Sequence, residues 1–162
     1  MLRREVRLSR DTLVRIIHRE NLGEPHAVLV GGEVWLDEGE QRAADKRAMA
    51  ELARAGLTDR DGRLLPELLD TLVTLTRPSV EFYGWIAWGD STFVLLTASI
   101  GRRAVLLVRE RDDVLLAPAN PDTLPESLVA RLPEFPSGRG HSITLPEADF
   151  GSPRAGKVEG VG

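Results

Sequence analysis

A chain of 162 residues without a single cysteine can bury one domain-sized core, but it cannot use disulfides, thiolate nucleophiles or cysteine-held metals. Its 42% hydrophobic and 28% charged content is ordinary for a globular protein and excludes wholesale disorder. A net charge of −4 argues against a general nucleic-acid or anionic-membrane binder, and arginine supplies 19 of the 21 basic residues as coding bias would.

No apolar run approaches the ~20 residues of a membrane span. The basic start MLRREVRLSRD has no apolar stretch or small-residue cleavage site, so it is not read as a secretory signal, and a cytoplasmic protein is expected. Glu5 to Ser9 reads as a short strand entering a helix. Ser9 is placed to cap it, and Leu13, Val14, Ile16 and Ile17 recur at helical spacing before Gly23. The six arginines and three acids of the first twenty residues suit a solvated helix face better than a phosphate site.

After Pro25, His26 to Val30 and Glu33 to Asp37 read as two strands turned by Gly31-Gly32. Glu38 to Ala55 is a charged helix with a narrow stripe of Ala44, Ala48, Leu52 and Ala55, and Gly56 stands where a helix-ending glycine belongs. Thr58 to Arg63 is a turn on Asp61-Gly62. Pro66 then opens a helix with a strong stripe of Leu68, Leu69, Leu72, Val73 and Leu75, although Leu65 is a poor cap for it. Arg77-Pro78 ends that helix.

The remainder is organised around Ser79 to Leu116, short apolar runs broken by GD, GRR and RDD, which predict an antiparallel meander. Alternation sets Val80, Phe82, Ile86 and Trp88 against Glu81, Tyr83, Trp85 and Ala87 in the first strand. It sets Val94, Leu96 and Ala98 against Phe93, Leu95 and Thr97 in the second, and Ala104, Leu106 and Val108 against Val105, Leu107 and Arg109 in the third. Both sides are too apolar for water, so the second is covered either by more of the chain or by a partner. A helix follows from Asn120 or Asp122 through Leu132. A Pro/Gly loop comes next, then a strand at Ser142 to Leu145, a helical turn at Pro146 to Phe150, and a mobile tail over 151–162. The expected organisation is one α+β domain, 1–150, and the tail.

Catalytic patterns are missing. His18, His26 and His141 have no metal-ligand spacing, and no metal or other cofactor is expected. Ser142 opens a strand directly after His141 of the loop, but adjacent residues of an extended chain point apart and the GxSxG context of a nucleophile is missing. Gly138-Arg139-Gly140 has no strand and helix around it to form a phosphate cradle. The aromatics Phe82, Tyr83, Trp85 and Trp88 resemble a base-stacking platform, but the basic residues of an RNA-recognition signature are absent.

One order of features is distinctive. AELARAGL (Ala50 to Leu57) leads into DRDGRLLPELLDTLVTLTRPSVEFY (Asp59 to Tyr83), then RRAVLLVRERDDVLLAPANPDTLPESLVARLP (Arg102 to Pro133) and SGRGHSITLP (Ser137 to Pro146). Over residues 6 to 150 this resembles the EspG family, the chaperones associated with ESX (type VII) secretion. The likeness is to the first of the family's two pseudo-twofold halves. Leu65 departs from the polar residue the family tends to carry there.

The resemblance implies an antiparallel sheet packed with helices and a cytosolic, non-catalytic protein. It implies binding to the hydrophobic tip of PE/PPE-type cargo, without nucleic acid or membrane insertion. A homodimer would supply the second half. The partner contacts expected on the second sheet face are Tyr83, Trp85, Phe93, Leu95, Leu107 and Arg109; the alternative is that they line a core or a dimer seam. The competing function is a structural or regulatory homodimer derived from half an EspG protein, without cargo binding.

Overall fold

A computed structural model describes residues 1–31, 35–88, 91–134 and 140. The first compact unit, Met1–Leu132, holds every element below; the second, Pro133–Gly162, lies almost wholly outside the described residues. The expected strand at Ser142 to Leu145, the turn at 146–150 and the tail are therefore outside them too.

The architecture is α+β, as expected. Strand β1 (Val6–Ser9) runs into helix α1 (Arg10–Arg19), and α2 (Glu38–Arg54) and α3 (Pro66–Thr76) precede the meander. The meander comprises β2 (Val80–Trp88), β3 (Ser91–Ile100), β4 (Arg103–Glu110) and β5 (Asp113–Pro118), followed by α4 (Leu124–Val129). All five strands form one antiparallel sheet in the order β1-β5-β4-β3-β2. Strand β1 thus closes one edge of the meander, and β2 is left as the other edge.

The local chemistry explains most of these elements. The Ser9 hydroxyl accepts from the Thr12 amide and starts α1. Asp37 and Glu40 form a reciprocal capping box on α2, and Gly56 ends that helix at φ +68°, a conformation costly to any residue with a Cβ. The Asp59 carboxylate accepts from the amides of Asp61 and Arg63, which holds the turn ahead of α3. As the sequence suggested, Leu65 makes no side-chain cap and Pro66 occupies the first turn. That helix is held by burial of Leu68, Leu72 and Leu75.

Two expectations are corrected. Residues 26–30 are not a hairpin strand: Ala27–Leu29 is a 3₁₀ turn, capped by His26, whose Nδ1 accepts from the Val28 amide. The turn buries the adjacent Val28 and Leu29 together, which the alternation of a strand would not allow. Residues 35–37 are irregular up to the α2 cap. The last helix is also shorter than predicted. Asn120 Oδ1 accepts from the Asp122 amide in a local turn, so α4 begins only at Leu124, and beyond Ala130 the chain tightens into i→i−3 bonds at Arg131 and Leu132.

The largest core lies between the sheet and helices α1, α2 and α3. It joins Val6, Leu8, Val94, Leu96, Val105, Leu107, Val114 and Leu116 of the sheet to Leu13, Ile17, Leu52, Leu68, Leu72 and Leu75 of the helices. The reverse face carries Leu95, Thr97, Leu106, Leu115 and Ala117, all buried and outside that cluster. Helix α4 packs on β2, β3 and β4, and its buried Leu124 is likewise outside the helix-side cluster.

The α1–α2 seam depends on one carboxylate. Glu51 accepts from the Ser9 amide, the Ser9 hydroxyl and the Thr12 hydroxyl. Burial alone would raise its pKa, but those bonds from Thr12 and Ser9 outweigh it and the pKa is lowered from 4.5. A carboxylate with a lowered folded-state pKa stabilises fully above its unfolded value, and the contribution fades as the pH drops through the folded one. Glu51→Ala is therefore expected to cost about 2–3 kcal/mol at neutral pH. In urea unfolding at stepped pH, its deficit against the wild type should shrink below pH 4.5.

Candidate partner-binding edge

Among the described residues nothing pairs with the outer side of strand β2, and a nine-residue edge of this kind is a template for another polypeptide. Its side chains strengthen that character. On the helix side Tyr83 is 48% and Trp85 55% exposed, and on the reverse side Val80 is 49% and Phe82 43% exposed. Isolated exposed apolar residues are ordinary, but four within six positions leave apolar surface on both sides of one edge.

The helix-side row is also ordered. Tyr83 and Trp85 meet edge to face, with ring centroids 5.6 Å apart, and the His26 ring meets Tyr83 in the same way at 5.0 Å. Because His26 Nδ1 accepts from the Val28 amide, a neutral imidazole carries its proton on Nε2. That nitrogen lies 3.2 Å from Glu81 Oε2, close but misaligned, and the carboxylate oxygen is buried without a hydrogen-bond donor. His26 is thus a strut under the aromatic pair. The 3₁₀ turn packs on β3, and Val30 and Gly31 line a cavity together with Arg109 of β4.

The strand register divides the six expected contacts. Tyr83 lies opposite Leu96, which lies opposite Leu107; Trp85 lies opposite Val94, which lies opposite Arg109. These four predicted residues face the helices. Phe93 and Leu95, opposite Ile86 and Gly84, face the other way. A single shared face was wrong because directly paired residues point the same way, so Tyr83 belongs with the even-numbered positions of β3. Leu95 and Leu107 are also fully buried, with no surface to offer. Phe93 and Arg109 are half-buried, and only Tyr83 and Trp85 are truly exposed.

His26 and Glu81 were missed as parts of this site. The available signal was a histidine directly after Pro25 and before an apolar triplet, a place where a side-chain acceptor can cap a turn. Among the described residues no group of three or more histidine or acidic side chains could hold a metal. No helix among them is long and apolar enough to cross a membrane.

Comparison with curated proteins returns no match. The sequence model of the EspG family matches residues 9–161, nearly all of the 162. By that match the chain, an antiparallel sheet backed by helices, belongs to the EspG family, an ESX-secretion-associated and chaperone-like group.

Proposed function

We propose that this protein is a non-catalytic cytoplasmic chaperone that covers an apolar surface of a secreted PE/PPE-type or related cargo until the ESX apparatus receives it. The observation that carries this reading is the exposure of Val80 and Phe82 on one side, and of Tyr83 and Trp85 on the other, of a strand whose outer edge nothing among the described residues pairs with. A chaperone of this kind needs apolar surface that stays soluble when vacant. Here the cost is limited by interleaving the row with Glu81 and Gly84 and by bracing it on His26. Affinity purification of the tagged chain from its native cell, followed by mass spectrometry, should recover PE/PPE-type proteins. An eluate free of them, with the bait folded, refutes the reading.

A second reading is favoured by the edge itself. Residues equidistant from Gly84, namely Tyr83 with Trp85 and Phe82 with Ile86, are apolar on both sides. Antiparallel self-pairing about Gly84 would set like against like and give a homodimer with an isologous seam. A light-scattering mass of one chain at micromolar concentration eliminates it. A dimer that captures no cargo favours a structural or regulatory role.

A further inference from the structure

A cavity of about 260 Å³ opens between the start of α1 and the β4–β5 turn, lined by Arg10, Val30, Gly31, Arg109, Arg111 and Asp112. Three guanidinium groups share it with one carboxylate, in a chain whose net charge is −4. The carboxylate is already engaged, since Arg10 Nε donates to Asp112 Oδ1 at 3.2 Å. Arg109 has no ion pair or hydrogen bond to any described residue, and its Nε is buried without an acceptor.

Packing gives no reason for that arginine. Arg109 stands between Val94 and Val114 in the cross-strand row, where an aliphatic residue would continue the apolar surface. Leaving a buried donor unpaired costs about 1–3 kcal/mol, more when it is charged. Burial and then the nearby Arg10 depress its pKa, against the pull of Asp112. Arg111 adds a third cation from a turn position at φ +55°, which glycine or asparagine would occupy more easily.

We propose that this cavity binds a single carboxylate, presented by an Asp or Glu side chain of a bound polypeptide; the identity of that occupant rests on the chaperone reading above. A carboxylate accepts two parallel N–H bonds from one guanidinium, which Arg109 is free to give. Three cations against Asp112 leave the rim net positive, so it attracts an anion, and a carboxylate is the anion that the side chains of a bound polypeptide carry. Val30, half exposed at the mouth, offers an apolar shoulder for the methylene stem.

Acetate is the probe. Titrated into the intact ¹⁵N-labelled protein at constant ionic strength against chloride, it should move the Arg109 Nε–H resonance and the amides of Val30, Gly31 and Asp112 saturably. Arg109→Gln should weaken the amide response by about tenfold or more, and Arg109→Lys should restore part of it. No saturation, or equal movement with chloride, overturns the site. Tighter binding of inorganic phosphate overturns the assignment to carboxylate. A response appearing only in Glu33→Gln would make the chain's own acid the acceptor and also overturn it. A negative titration leaves the chaperone reading intact. An empty affinity purification refutes the chaperone reading and leaves the acetate result standing.

Discussion

Leu107→Ala is expected to lower the free energy of unfolding by about 3–5 kcal/mol. Leu107 is fully buried on β4, in register with Leu96 of β3 and Leu116 of β5, and all three belong to the helix-side core. Helix α3 packs across β4 and β3, so truncation leaves a void that strands on both sides and a helix above hold open. Such a site relaxes little, and the loss combines transferred apolar area with the cavity that remains. Urea unfolding should show a lower midpoint with an unchanged slope. A loss below about 1 kcal/mol would mean that the site collapses or that Leu107 is not core. Any weakening of partner binding in this variant would follow from the damaged fold.

Trp85→Asp should behave in the opposite way. The indole is 55% exposed at the sheet edge and contacts Tyr83 edge to face, so its removal should cost stability only about 1 kcal/mol. Binding should suffer far more. A central aromatic anchor contributes at least about 2 kcal/mol at an interface, near thirtyfold in affinity, and a carboxylate placed there must also be desolvated. Titration calorimetry with recovered cargo, beside a thermal melt, separates the two effects. Unfolding of the variant would make Trp85 core; unchanged affinity with an intact fold would move the binding surface elsewhere.

These two substitutions show where sequence patterning sufficed and where it failed. Alternation within each strand was correct, and the register puts Leu107 and Trp85 on one side of the sheet. Pairing between strands was not legible, because a shift of one residue reverses every face and the sequence Gly89-Asp90 between the two apolar runs does not announce a register. Phe93 and Leu95 were grouped with Tyr83 for that reason. The strap at 26–31 escaped because a run of apolar residues after Pro25 suits a strand as well as a buried turn. Only the contact of His26 with Val28 and Tyr83 separates the two.

Composition, turn residues and apolar spacing were enough to settle the α+β class, the helix starts at Ser9 and Pro66, the stop at Gly56 and the meander. Each of these depends on chemistry within a few residues of the chain. The availability of apolar surface depends instead on what folds over it. Two strand faces of similar hydrophobicity proved to be buried at their centre, with Leu95 and Leu107 enclosed, while the open surface lies along β2 because β1 closes the far edge and nothing in the described chain pairs with the near one. Long-range contacts made that choice, as they did in leaving Arg109 between two valines without an acceptor.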